Sequence, residues 1–117
     1  MRNKNNCEFR GNIGRTPEMK FTSNGKVYTE FSIASNNVYT KNGERIEETE
    51  WIDCIAWGKQ AEFINEKCPS GTGVEVQTRY HLQKWEKDGQ KHRRPVFIVK
   101  NIDVIVWKKE KTAAAAA

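Results

Sequence analysis

Three dipeptides, Asn24-Gly25, Asn42-Gly43 and Asp88-Gly89, constrain this chain more than any other feature. Asn-Gly and Asp-Gly suit the tight turns of β-hairpins, because the central residues of those turns need positive φ. Each dipeptide lies between segments rich in β-branched and aromatic residues, so three hairpins are expected. Alternation around them predicts strands near Cys7 to Arg15, Val27 to Asn36, Thr49 to Trp57, Val74 to Trp85 and Pro95 to Val106. Between the third and fourth strands, Ala61, Ile64 and Cys68 recur at helical spacing before Pro69 and Gly71. This predicts one short helix over Lys59 to Lys67.

Five strands with a helix at that point match an all-β, five-stranded Greek-key barrel, the oligonucleotide/oligosaccharide-binding (OB) fold, here with extended hairpin arms. The 117 residues suffice for one such domain and not for two. The domain is expected over residues 1–111. The stretch 112–117 is expected to be a tail, its alanine run Ala113 to Ala117 an artefact or a stand-in for unassigned residues. No apolar run is long enough to span a bilayer, so no membrane partner is expected. Met1 to Asn6 has two basic residues but no hydrophobic stretch of the secretory kind, which makes the cytoplasm the expected compartment. Cys7, Cys54 and Cys68 are odd in number, far apart and without a Cys-x-x-Cys pair. They are read as free thiols in a reducing compartment, not as a disulfide or zinc framework.

Successive side chains of a strand point to opposite faces, so the faces can be separated. Val27, Phe31 and Ile33 form one apolar set, and Val74, Val76, Tyr80 and Leu82 another; both are core candidates. In the third strand Ile52, Cys54 and Ala56 share one face, and Trp51, Asp53, Ile55 and Trp57 the other. The small apolar set fits a barrel interior better than two indoles do, so the indoles are expected outside. Trp85 likewise shares its face with Glu75, Gln77, Arg79, His81 and Gln83.

Flat π surfaces interleaved with cations are what a protein needs to hold unpaired nucleic acid, whose base faces are open for stacking. Tyr39, Trp51, Trp57 and Trp85 are the candidate stacking platforms. Lys20, Lys41, Lys59, Arg79, Lys84 and Lys87 are the candidate phosphate contacts, and the net charge of +5 favours an anionic partner. Stacking accepts every base, so weak sequence preference is expected. Catalytic signatures are missing. His81 and His92 lack metal-ligand spacing, Gly58-Lys59 lacks the rest of a phosphate-loop motif, and Glu47, Glu48 and Glu50 read as a solvated strand edge. No enzyme activity, metal or cofactor is expected.

Several stretches carry a resemblance: Gly11-Asn12-Ile13-Gly14-Arg15 with Pro17-Glu18, Asn24-Gly25-Lys26, Phe31-Ser32-Ile33-Ala34, Thr49-Glu50-Trp51, and Trp57-Gly58-Lys59-Gln60-Ala61-Glu62. Followed by Trp85-Glu86-Lys87-Asp88-Gly89-Gln90-Lys91, they resemble the bacterial single-stranded DNA-binding protein (SSB) family over nearly the whole chain. The resemblance implies a homotetramer that wraps single-stranded DNA during replication, recombination and repair, nucleoid-associated in the cytoplasm. It places stacking at Tyr39, Trp51, Trp57 and Trp85 and phosphate contacts at Lys20, Lys59 and Arg79. Asp53, Pro69, Ser70, His81 and Gln83 stand where the family is commonly basic, which implies thinner phosphate binding. Ile52 replaces a histidine of the family's subunit packing. The family's acidic, Phe-ended tail, which recruits replication and repair proteins, is not among these residues. Two other readings stay open: a protein-interaction module of the primosome-accessory type, and an RNA-binding barrel.

Overall fold

The computed structural model describes residues 1–107. In chain order it contains β1 (Cys7–Ile13), β2 (Glu18–Phe21), β3 (Val27–Lys41), β4 (Glu44–Trp57), α1 (Gly58–Lys67), β5 (Gly73–Lys87) and β6 (Gln90–Val106). All three Gly-containing turns form hairpins. In the two long ones both central residues take positive φ, Asn42 at 52° with Gly43 at 79° and Asp88 at 53° with Gly89 at 76°. That geometry matches the right-handed twist of the flanking strands.

The sheet runs β1-β5-β6-β4-β3-β2, and a further pairing of β1 with β3 closes it into a barrel of five strands. The chain crosses over once within the barrel wall, where β4 and β6 run parallel with Cys54 opposite Phe97 and Ile55 opposite Ile98. All other ladders are antiparallel. The OB architecture expected from the sequence is therefore present, with β2 added at the rim. The short Glu-Met-Lys-Phe run of β2 pairs only with β3, and four residues carry too little alternation to announce a strand.

Closure depends on one seam. Asn12 and Ile13 of β1 lie opposite Ala34 and Ile33 of β3, and Gly11 sits so close to the Ala34 carbonyl that a side chain there has no room. Inside the barrel Ile13, Phe31, Ile33, Cys54, Ala56, Val74, Val76 and Val99 form the core, and α1 plugs one end with Ala61, Ile64 and the adjoining Cys68. Those three positions are the ones whose spacing predicts the helix. Thr29, Thr72 and Thr78 are fully buried as well, and each hydroxyl donates to a backbone carbonyl, of Glu18, Pro69 and Cys7 respectively, all at 2.8 Å. Buried hydroxyls with partners cost little; without them each would be destabilising. Cys54 and Cys68 are buried free thiols, and Cys7 is half-buried. Desolvation, helped by the neighbouring Asp53 charge, pushes the Cys54 thiol up to about 12.

Beyond the barrel the strands run on as two arms, β3 with β4 to the Lys41–Glu44 pair and β5 with β6 to the Lys87–Gln90 pair. This corrects the core set read from the sequence. Tyr80 shares parity with Val74 and Val76, yet it is 43% exposed, its ring edge-on to that of Phe97 with centres 6.0 Å apart. The β1–β5 ladder ends at Thr78; at Tyr80 the Asn5 side chain bonds the β5 backbone instead, and the Tyr80 ring stands on the arm beyond the core. Leu82, on the same face, is only half-buried. The tail expected over residues 112–117, and the last four residues of the domain expected over 1–111, lie outside the described residues.

Gly11→Ala is expected to destabilise the fold by roughly 1–3 kcal/mol, the usual cost of overpacking, because the new methyl would press on backbone that cannot rotate away. Urea unfolding measures it, and an unchanged midpoint would show that the seam has slack.

Candidate functional site

The parity of β4 decides which side of the barrel carries the site. Cys54 and Ala56 point inward and are buried, with Ile52 half-buried beside them, so Trp51, Asp53 and Trp57 must point out. Trp51 is 61% exposed and Trp57 41%. Ile55, on the same outward face, is nevertheless buried. Six residue steps along the strand set the two indoles roughly 20 Å apart. Trp85 emerges from the β5–β6 arm at 42% exposure, and Tyr39 from the β3–β4 arm at 37%.

Each of these three indoles meets a neighbouring group. Trp51 lies against the backbone of Gly14, so closely that a Cβ there would be 2.5 Å from its Cζ3. Trp57 packs on Tyr28, its cross-strand neighbour, with ring centres 5.1 Å apart and planes tilted by 31°. Trp85 stacks on His92, also its cross-strand neighbour, at 5.4 Å and 19°. A ring supported on one face loses little freedom when something flat covers its other face. Tyr39 is anchored differently: its hydroxyl donates to Glu48 at 2.7 Å, and that bond to a carboxylate raises the phenol above its ordinary value.

A groove of about 1030 Å³ runs beside Trp51, lined among others by Arg15, Lys20, Ser70 and Arg94. A smaller one of about 430 Å³ lies beside Trp85, with Gln83 and Lys84 in its wall. The two share Glu30 and Arg94. At this junction Arg94 donates to Glu30 Oε2 at 3.0 Å and to Gln83 Oε1 at 3.1 Å, and lies 3.8 Å from Asp53 Oδ2. Lys20 Nζ reaches Glu30 Oε1 at 3.3 Å, and Ser32 donates to Asp53 at 3.1 Å.

The grooves thus bring together Lys20, Trp51, Lys84 and Trp85. Trp57 shares the outer face of β4 with Trp51, and exposed Lys59 follows it in the first turn of α1. Arg79 is exposed on the outer face of β5. Tyr39 and Lys41 lie on one arm and Lys87 at the tip of the other, apart from the grooves. Glu47, Glu48 and Glu50 are exposed on the outer part of β4. Sequence reasoning missed Gly14, Tyr28, Glu30, His92 and Arg94. Counting back from the Asp88-Gly89 turn pairs Trp85 with His92 and Gln83 with Arg94, a signal present in the sequence for two of the five.

Among the described residues, no group of three or more His, Cys, Asp or Glu is placed to hold a metal ion. Nor is any described helix long and apolar enough to cross a membrane.

Gly14→Ala is expected to tilt the Trp51 ring and change the near-ultraviolet circular dichroism. Unfolding stability should move by less than about 1 kcal/mol, because the exposed ring can yield. A spectrum identical to the parent's would show that Gly14 does not seat the ring.

Comparisons with known proteins agree on one family. A model described as the single-strand binding protein family matches residues 5–105. A protein of Fusobacterium nucleatum named single-stranded DNA-binding protein is 33% identical over 94 residues, 80% of this chain and 61% of its own length. The chain therefore spans about three fifths of that relative. The single-stranded DNA-binding protein 2 of a Nostoc species is 30% identical over 110 residues, 91% of this chain and 83% of its own. Among solved structures, a Plasmodium falciparum SSB in complex with ssDNA superposes with a TM-score of 0.76 at 21% identity, covering 93% of this chain and 98% of that one. That likeness speaks for the fold.

Proposed function

Since the chain belongs to the single-strand binding protein family, we propose that it binds and protects single-stranded DNA with little regard to sequence, in replication, recombination and repair. It does so by stacking bases on Tyr39, Trp51, Trp57 and Trp85 and by phosphate contacts from Lys20, Lys41, Lys59, Arg79, Lys84 and Lys87. One observation carries the reading: Trp51, Trp57 and Trp85 are exposed, each with a neighbouring group against its ring, and Trp51 and Trp85 line two grooves that also hold Lys20, Lys84 and Arg94. Base stacking contributes roughly 1–3 kcal/mol per base, so these platforms would supply most of a useful affinity before any phosphate is counted. The protein works by binding and performs no catalysis.

The proposal extends to one binding domain over residues 1–111, to the cytoplasm as its place, and to self-association as a homotetramer. Replication and repair proteins would be recruited through a tail beyond the residues seen here. The number of subunits in solution, measured by light scattering with and without long oligo-dT, tests the tetramer, and a monomer under both conditions would refute it.

Titration with oligo-dT is expected to quench tryptophan emission deeply. No quenching at low salt would favour a surface for a protein partner, and tighter binding of matched RNA would make RNA the ligand. Trp51→Ala and Trp85→Ala should each weaken binding by roughly 1–3 kcal/mol with the fold intact. Lys59→Glu should weaken binding on every sequence and flatten its salt dependence, since one phosphate contact on a single strand contributes about 0.7 to that slope. An unchanged slope would remove Lys59 from the contacts.

A further inference from the structure

The groove beside Trp51 carries three cations, Arg15, Lys20 and Arg94, and three carboxylates, Glu18, Glu30 and Asp53. Although the chain as a whole carries +5, this groove is neutral in sum. Summed over its lining it offers a polyanion no net positive charge, and two of its cations, Lys20 and Arg94, are engaged by carboxylates. The pairing has one hub. Glu30 offers Oε1 to Lys20 at 3.3 Å and Oε2 to Arg94 at 3.0 Å, so a two-oxygen anion bridges an ammonium and a guanidinium at the junction of the two grooves. Gln83 and Asp53 hold the same guanidinium from other sides, which fixes the plane of its fork.

Building on the single-strand reading, we propose that Glu30 is an internal stand-in for a DNA phosphate. It holds Lys20 and Arg94 in place between Trp51 and Trp85 and gives both cations up to the backbone of a bound strand. Arg94 thereby joins the phosphate-binding residues. A guanidinium accepts carboxylate and phosphate in the same forked geometry, so the exchange needs no rebuilding of the site. Its cost is small as well: the side chains of Lys20, Glu30 and Arg94 are between a third and a half exposed, and ion pairs in such settings are weak. What the carboxylate supplies is order. Two long side chains wait in position, at the expense of some affinity, because the expelled carboxylate then lies near the phosphates.

The test is Glu30→Gln in the parent and in a K20Q/R94Q background, with oligo-dT affinity read by tryptophan quenching and folding checked by thermal melting. In the parent the substitution should tighten binding roughly three- to tenfold, the equivalent of two weak ion pairs. It should also steepen the salt slope by up to about 0.7 per cation released. In the K20Q/R94Q background the gain should shrink, because nothing remains for Glu30 to hold. A gain of the same size or larger there would mean that Glu30 only repels DNA, and no gain in the parent would mean that it does not compete; either overturns the proposal. Should the doubly substituted background fail to fold, the single variants Lys20→Gln and Arg94→Gln serve, each expected to diminish the gain. Failure of the underlying reading looks different, since the unaltered protein would then show no quenching by oligo-dT.

Discussion

The outer face of the barrel wall follows from its closure at the β1–β3 seam. Once Asn12 and Ile13 pair with Ala34 and Ile33, each strand of the wall has an inside and an outside, and its side chains must alternate between them. β4 shows the consequence most plainly. Burying Cys54 and Ala56 leaves Trp51 and Trp57 no direction but outward, where exposed indoles would be a liability without a ligand to cover them. The small residues chosen for the interior and the large ones chosen for the exterior are two sides of one constraint.

The same sheet that projects the rings also steadies them. Tyr28 and His92 reach Trp57 and Trp85 because cross-strand neighbours share a face, and Gly14 reaches Trp51 because closure brings the end of β1 beside β3 and β4. The cations are steadied by carboxylates instead of by packing. Lys20 and Arg94 both lean on Glu30, and charge in the larger groove sums to zero. Under the proposed reading, rings and cations already held by neighbours would have less freedom to lose when a strand binds.

Much of this was legible beforehand because it rests on local chemistry. Turn dipeptides determined the hairpins, since only certain residues tolerate positive φ, and period-two alternation determined that Trp51 and Trp57 share a face away from Cys54 and Ala56. Helical spacing of Ala61, Ile64 and Cys68 determined the plug. Other features were decided only by the tertiary structure. Tyr80 has the parity of a core residue but stands where β5 has left the barrel, and parity carries no information on where the core ends. Gly14 beneath Trp51, and Lys20, Glu30 and Arg94 around one point, join residues from β2, β3, β6 and the end of β1. Such meetings depend on how the strands curl and close, a property of the whole chain that no single stretch of it contains.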